Sequence, residues 1–325
     1  MPASRRRRCT QLLAGLALLA GCGHGRSLPD DEAKSGSVAD SVRVAPTIET
    51  YYLAENSGAA MAVRHPGVLY TINDSGNDPV VYAVDTTGSG RGRWTLQGAA
   101  NRDWEAIAVG PCAGAHAPAA SCIYVGDVGD NGLERPTVRI YRTPEPDSLG
   151  PDIVTTRAVD SVVVRYEDGP HNVEAMYVAP DGSVVLITKE RRRKGTTETR
   201  PTLMFRVAPS AWDTTGIAPA VLVDSLPILP RAATSHQVTD AALALDGRTL
   251  AVRTYAQVFL FTVDPATGLP AAGDAYTVCD VRALGEPQGE GVAFVARRAT
   301  SARLVLTSER EGQPLRLVSC AIPPR

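Results

Sequence analysis

One short phrase returns along this chain, and it restricts the fold more than any other feature. The phrase is an acidic residue, a small residue and an apolar run, and it occurs at 104–109, 173–178, 239–244 and 289–294. A fifth copy at 57–63 lacks the acid. A chain with such internal repeats is expected to build similar units, each of which buries its apolar face only against its neighbours.

The sequence around each copy predicts a unit of four antiparallel strands. A turn follows the phrase, and Asp-Gly between apolar runs, as at 181–182 and 246–247, is a strong hairpin signal. In four copies a proline opens the third strand, where its missing N–H matters least. The fold class predicted is therefore all-β, a single β-propeller of four-stranded antiparallel blades. Five copies indicate five blades, and six stay open because the spacings on either side of Glu174 are long.

The fifth unit ends after its third strand, while the stretch from 42 to 53 has no unit of its own. We expect this N-terminal strand to complete the last blade. The ring would then be closed, without exposed sheet edges.

Composition supports one globular domain. The chain is 44% hydrophobic and 21% charged, which fits neither a disordered chain nor a protein with several membrane spans. A formal net charge of -2 argues against a nucleic-acid partner. The sequence has no Gly-x-Ser-x-Gly, His-Glu-x-x-His, P-loop or dinucleotide motif, so serine-hydrolase, zinc-protease and nucleotide-binding functions lose their support.

Residues 1–21 are interpreted as a secretion signal, with four arginines before a short apolar run. The run ends in Leu-Ala-Gly-Cys, which resembles a bacterial lipobox and implies cleavage before Cys22 and its acylation. Residues 22–42 are polar and predict a flexible acidic tether, and 43–325 form the propeller. We expect an exported, membrane-anchored monomer, on the periplasmic face of the outer membrane if the host is Gram-negative.

The remaining cysteines form an even set, which agrees with export. Cys112 and Cys122 flank a short loop and are the easier pair, which leaves Cys279 and Cys320 for a second disulfide. A zinc site is the alternative, but no Cys-x-x-Cys occurs and the extracytoplasmic space favours disulfides.

The acids of the repeated phrase are the first candidate site. Because the first strand of each blade lines the central channel, we expect these side chains to form a ring: Glu105, Glu174, Asp240 and Glu290. Like charges at close range raise each other's pKa, and Ca2+ would relieve the conflict by accepting oxygen ligands. The alternative is a structural role, in which the acids accept backbone N–H groups of neighbouring blades.

The loops after the second strands are a further candidate. Their Asp, Asn and Gly residues could ligate Ca2+ or could simply form turns; the candidates are Asp74, Asp127, Asp130 and Asn131. Lys189, at the corresponding place in the third unit, could pair with the acid ring or bind an anion. His171 and His236 precede the phrases of units three and four and could relay protons or serve packing.

The motifs Asn-Asp-Ser-Gly-Asn at 73–77, Asp-Trp-Glu-Ala-Ile-Ala at 103–108 and Tyr-Val-Gly-Asp-Val-Gly-Asp-Asn at 124–131 resemble those of secreted bacterial propeller proteins. More distantly, the pattern is similar to the esterase-like phytase and SdiA-regulated families and to the calcium-dependent phosphotriesterase and gluconolactonase propellers. That resemblance implies a channel Ca2+ held by Glu105, Glu174, Asp240 and Glu290, with Asp74 and Asp127 behind them.

Two functions follow as hypotheses. The first is a Ca2+-dependent hydrolase of phosphate or carboxylate esters with its site in the channel. The second is a non-catalytic module that binds another envelope protein or a glycan.

Overall fold

The computed structural model describes residues 35–36, 43–47, 53–151, 154–191, 200–229, 236–271 and 276–324. The predicted signal sequence, the predicted acylation site Cys22 and most of the predicted tether lie outside these residues. The described strands are β1 (Ser35–Gly36), β2 (Arg43–Thr47), β3 (Asn56–Met61), β4 (Val68–Asn73), β5 (Val80–Asp85), β6 (Gly90–Gln97), β7 (Trp104–Pro111), β8 (Ser121–Asp127), β9 (Val138–Pro144), β10 (Val154–Ala158), β11 (Asp160–Tyr166), β12 (Val173–Val178), β13 (Val184–Thr188), β14 (Thr202–Val207), β15 (Ile217–Leu226), β16 (Val238–Leu243), β17 (Thr249–Thr254), β18 (Gln257–Thr262), β19 (Tyr276–Asp280), β20 (Gly289–Arg297), β21 (Ser301–Ser308) and β22 (Pro314–Ala321).

The fold is all-β and propeller-like, as the repeats predict. The first strands of the successive units contact one another in cyclic order, from β3 to β7, β12, β16 and β20 and back to β3. These inner strands are almost wholly buried, whereas an outer strand such as β6 alternates buried and exposed residues, as expected for a sheet with one face against the core. Short 3₁₀ helices lie at 209–213 and 282–284.

The hydrogen-bonded sheets differ from a set of separate four-stranded blades. They have five, five, eight and four strands among the described residues. The eight-stranded sheet contains two antiparallel runs, β7-β8-β9-β11 and β12 to β15, joined by parallel pairing of β11 with β15. Strand β10 adds to β6 and β1 adds to β19, both in parallel. These additions occupy outer edges whose backbone groups would otherwise lack partners within the protein.

The N-terminal strand takes the position expected for it. Strand β2 pairs antiparallel with β22, so that residues from opposite ends of the chain share the last sheet. Apolar side chains of the first and last units also pack together across this junction, among them Leu69, Val84, Leu315 and Leu317. The ring is therefore joined by backbone pairing and by a shared hydrophobic core.

Both disulfides predicted from the cysteine count are present. Cys112 bonds to Cys122 across the turn between β7 and β8, and Cys279 bonds to Cys320, which ties β19 to β22. Disulfides indicate an oxidising, extracytoplasmic compartment. Within the described ranges, no helix has the length and apolar character needed to cross a bilayer.

Candidate functional site

Each inner strand contains a β-bulge close to its start, and this bulge shapes the candidate site. The pairing shifts by one residue between Asn56 and Ala59 in β3 and at the corresponding places in β7, β12, β16 and β20. A bulge inserts one extra residue into a strand and can redirect a side chain. We call this end of the ring the mouth, and the end where the inner strands finish the base.

The bulges contain three of the four predicted acids. Glu105 and Glu174 are the extra residues of β7 and β12, and Glu290 lies in the bulge of β20. In β16 the extra residue is Thr239, so Asp240 lies one position deeper and pairs with Arg253. The sequence repeats suggested that Asp240 corresponds to Glu105 and Glu174, and the register corrects this alignment by one residue.

Asp240 is fully buried and accepts backbone hydrogen bonds. Its Oδ2 accepts the N–H groups of Ala59, at 3.1 Å, and Val292, at 2.8 Å, which belong to the first and last units. Its Oδ1 accepts the N–H of Ala241 at 2.8 Å. Burial raises the pKa of Asp240 well above its usual range, against the effect of these donors. In this geometry Asp240 links three units of the ring.

Glu105 and Glu290 are buried carboxyl groups close to a third one, Glu174. Ser57 Oγ donates to Glu105 Oε2 at 2.8 Å. Burial, and then repulsion from Glu174, raise the pKa of Glu105 well above its usual range, and the same two causes raise the pKa of Glu290. Both groups are therefore expected to hold a proton at higher pH than an ordinary glutamate.

Lys189 supplies the counter-charge at the mouth. Its Nζ donates to Glu174 Oε2 and, at 2.8 Å, to the hydroxyl oxygen of Tyr255. Burial by itself disfavours the ammonium form, but Glu174, Tyr255 and Glu290 together raise the pKa of Lys189 above its usual value. Asn172 Nδ2 donates to the other oxygen of Glu174 at 3.1 Å. Of the two roles proposed for Lys189, the geometry supports the charge partner.

A second set of mouth residues is related by position, because the residue that follows each second strand lies beside the start of an inner strand. Its members are Asp74, Val128, Lys189, Tyr255 and Glu309. Tyr255 and Glu309 were missed in the sequence because their local contexts share no motif with Asp74. Their common signal is position alone, directly after β17 and β21.

Asp74 and Glu309 extend the carboxyl groups to the rim of the mouth. Burial, and then repulsion from Glu55 and Glu309, raise the pKa of Asp74 from 3.8 to about 7. Asn77 Nδ2 donates to Glu55 Oε2 at 2.7 Å. Burial also raises the pKa of Glu309, which lies within hydrogen-bonding reach of Glu290. We call Glu55, Asp74, Asp103 and Glu309 the acidic rim.

The loop after β8 is a tightly bonded turn. Asp127 forms a 3.0 Å ion pair with Arg135 and accepts the N–H of Asp103 at 3.0 Å. Asp130 accepts the backbone N–H groups of Glu134 and Arg135, at 2.9 and 2.8 Å. These contacts support the turn-forming role for Asp127 and Asp130.

Two other loop residues connect this turn to the third unit and to the acids. Asn131 Oδ1 accepts hydrogen bonds from Asn172 Nδ2, at 3.3 Å, and from Arg191. A Cβ at Gly129 would lie 2.5 Å from the carboxyl carbon of Asp103 and 2.7 Å from Cγ of Glu105. Glycine is therefore needed there to bring the turn close to the acids.

The two histidines differ in their surroundings. His171 Nε2 lies 2.9 Å from Asp168 Oδ1, and its ring packs against Phe205 and Tyr166. This environment supports a packing role. His236 is half-buried two residues before β16, at the mouth end of that strand.

The arrangement of the mouth can be compared with what calcium requires. Ca2+ takes six to eight oxygen ligands. Across the part of the chain that the structure describes, no group of three or more His, Cys, Asp and Glu side chains is placed to hold a metal. The Lys189 ammonium already supplies positive charge beside Glu174. In this arrangement the Lys189 ammonium is the counter-charge of the described acids, and we derive no reaction step through a metal.

Below the mouth, apolar side chains fill the channel. A cavity of about 40 Å³ remains between the inner strands, lined by residues that include Ala59, Ile107, Tyr177, Ala241 and Phe294. A cavity of this size has room for about one water molecule. The channel below the mouth is therefore too small to hold an organic ligand.

No known protein family matches the sequence, and neither does any curated protein. Among solved structures, the chain is similar to a luciferin-regenerating enzyme, with 10% identity, 87% of this chain and 97% of that chain covered, and a TM-score of 0.45. It is also similar to the Malassezia sympodialis allergen Mala s 1, at 7% identity, 86% and 96% coverage and a TM-score of 0.43. The PQQ domain of pyranose dehydrogenase from Coprinopsis cinerea has 12% identity, 90% and 98% coverage and a TM-score of 0.42. At these sequence identities and TM-scores, the function of those proteins cannot be assigned to this chain.

Proposed function

We propose that this chain is an exported lipoprotein, anchored through Cys22, whose five-bladed propeller is a non-catalytic binding module. Five blades follow if the eight-stranded sheet is counted as two units, because five inner strands then complete the ring. The lipobox-like sequence before Cys22 supports the anchor. Two disulfides agree with an extracytoplasmic location.

The main observation in favour of a binding function is the Lys189 ammonium at the mouth. Because Lys189 pairs with Glu174, the acids of the bulges have a counter-charge within the protein itself. Asp240 is likewise engaged, with three backbone donors. In the acidic rim, by contrast, Glu55 is exposed and the other three carboxyls are half-buried, so a partner can reach them. We propose that the partner is an envelope protein with a basic contact surface, since opposite charge favours encounter and orientation.

Photo-crosslinking in intact cells tests this proposal. A photoreactive amino acid in place of Ser75 or Asp78, two exposed residues beside Asp74, should give a discrete crosslinked product. The same amino acid in place of exposed Thr87 at the base is the matched control. Asp74→Asn with Glu309→Gln should reduce the product. Equal crosslinking at both ends, or no effect of the charge changes, would contradict the proposed rim interaction. A crosslink to glycan instead would identify the other class of partner.

A calcium-dependent ester hydrolase stays a second candidate because of one observation. Glu105 and Glu290 lie beside Glu174, and burial raises the pKa of all three. A divalent cation that displaced the Lys189 ammonium would favour their ionised forms. The proposal requires such a rearrangement before any metal-assisted chemistry could occur.

Elemental mass spectrometry of the exported, detergent-solubilised protein separates the two candidates. A binding module of the kind proposed should contain no stoichiometric Ca2+, and chelator should leave its melting temperature unchanged. A ligand at 100 times its Kd stabilises the folded state by about 2.7 kcal/mol, so a bound metal would be visible in melting. Stoichiometric Ca2+ that is lost in Glu105→Gln and Glu174→Gln, together with calcium-dependent cleavage of phosphate or carboxylate esters, would favour the hydrolase.

A further inference from the structure

The base of the ring exposes apolar side chains that the binding function leaves unexplained. Leu245 is 73% exposed and Val63 is 41% exposed, each in the turn that follows an inner strand. A groove of about 380 Å³ lies between these turns, and Pro180 and Pro265 also line it. Single exposed apolar residues are common, but a groove bordered by several of them marks an interaction surface. We call the turns around Val63, Pro180 and Leu245 the basal surface.

Charge distinguishes the basal surface from the mouth. Four acidic residues at the base are paired with arginines: Asp85 with Arg91 at 2.7 Å, Asp147 with Arg64 at 2.6 Å, Asp246 with Arg297 at 3.3 Å, and Asp181 with Arg206. Asp264, which is exposed in another basal turn, accepts the backbone N–H of Ala266. Arg248 and Arg298 are exposed in the turns that follow β16 and β20. The acidic rim, in contrast, gathers carboxyl groups that repel one another. An anionic surface would therefore be tolerated at the base and repelled at the mouth.

The first two strands both begin at the end of the ring that holds the basal surface. Strand β19 runs from the base towards the mouth, and β1 is parallel to it, so Ser35 is the basal end of β1. Strand β2 is antiparallel to β22, which runs from mouth to base, so Arg43 is the basal end of β2. Ser35 lies 13 residues after Cys22. At up to 3.6 Å per residue, this segment spans at most roughly 47 Å.

We propose that the basal surface contacts the lipid bilayer in which the acyl chains on Cys22 are inserted. Leu245 and Val63 enter the boundary between headgroups and acyl chains, while Arg248 and Arg298 contact lipid phosphates. A single lipid attachment benefits from a second membrane contact, because stable anchoring usually takes two signals. The mouth then faces away from the membrane, where a partner can reach the acidic rim. The inference rests on the lipid anchor of the proposed function.

Site-specific fluorescence tests this orientation. The full-length acylated protein, with Leu245→Cys labelled by a small environment-sensitive dye, is reconstituted into vesicles of phosphatidylethanolamine and phosphatidylglycerol. Vesicles that contain lipids with quenchers in the acyl chains should quench this dye several-fold more than a dye at Ser75→Cys, an exposed residue of the mouth. Native Cys112, Cys122, Cys279 and Cys320 are in disulfides and do not compete for label.

Two further measurements keep the test decisive. Val63→Ser in the Leu245→Cys protein should reduce the quenching, whereas Asp78→Asn at the mouth should not. Equal quenching at Leu245→Cys and Ser75→Cys in acylated, vesicle-bound protein overturns the orientation and leaves the anchor intact. An unmodified Cys22 by mass spectrometry, with no vesicle binding, overturns the anchor and the orientation together.

Discussion

The two ends of the inner-strand ring differ in how their carboxyl groups are accommodated. At the mouth, buried carboxyl groups lie close together, and one lysine, backbone donors and raised pKa values accommodate them. At the base, acids sit near the surface in ion pairs with arginines, and the channel below the mouth is filled by apolar side chains. Burial, more than the number of acids, therefore determines how strongly the stability of each end depends on protonation and on single residues.

Removal of the buried cation is expected to have the largest effect. In Lys189→Met the Glu174 carboxylate loses its ammonium partner while it stays buried, and breaking a buried pair costs about 3 to 5 kcal/mol. Denaturant unfolding of the purified protein measures the loss. The double variant with Glu174→Gln should recover most of it, because no unpaired charge remains. A Lys189→Met protein as stable as the parent would show that the fold does not depend on the Lys189–Glu174 ion pair.

Asp240→Asn should have the next largest effect. The carboxamide retains one acceptor oxygen, so one of three backbone N–H groups loses its partner and the others lose a charged one. We expect a loss of about 2 kcal/mol in the free energy of unfolding. Asp246→Asn at the base is the matched control, and loss of its partly exposed ion pair should cost less than about 1 kcal/mol. Similar losses at both positions would contradict the idea that burial makes the mouth acids more important for stability than the basal acids.

The mouth should also make stability depend on pH. Because the folded state raises the pKa of Asp74 from 3.8 to about 7, the folded chain binds the proton more tightly than the unfolded chain. The contribution of Asp74 to stability is therefore present at low pH and falls as pH rises from about 4 to about 7. Unfolding measured across this window should show a smaller fall in Asp74→Asn than in the parent.

Asp147 is the control for that experiment, because its pKa is shifted in the opposite direction to that of Asp74. A hydrogen bond and the charge of Arg64 lower the pKa of this exposed basal carboxyl. Asp147→Asn should therefore leave the fall between pH 4 and 7 unchanged. If Asp147→Asn flattened the profile as much as Asp74→Asn, the pH dependence would not arise at the mouth.

The smallest effect is expected at the base. Leu245→Ser changes a side chain that is 73% exposed, and surface substitutions of this kind usually stay within about 0.5 kcal/mol. Thermal or denaturant unfolding in the absence of lipid should therefore match the parent. A large loss would mean that Leu245 packs within the fold, and the basal surface would then lose its main apolar contact.

The repeated units, the all-β class, the closing N-terminal strand and both cysteine pairs could be predicted from the sequence. These features depend on local patterns: apolar strands, Asp-Gly turns, prolines at strand starts and an even number of cysteines. Glu105, Glu174 and Glu290 could be selected for the same reason, because each follows the start of an inner strand in a recognisable phrase.

Which side chains contact one another depends on the three-dimensional packing of the strands and could not be predicted from the sequence. One extra residue in each inner strand shifts the register, and this placed Thr239 at the level of Glu105 and Glu174 and moved Asp240 among backbone donors. Lys189 and Tyr255 meet across two units, although 66 residues separate them in the chain. The parallel pairing of β11 with β15 likewise joins two units into one sheet. Bulges and contacts between units are set by packing over the whole ring, and no local pattern in the sequence carries that information.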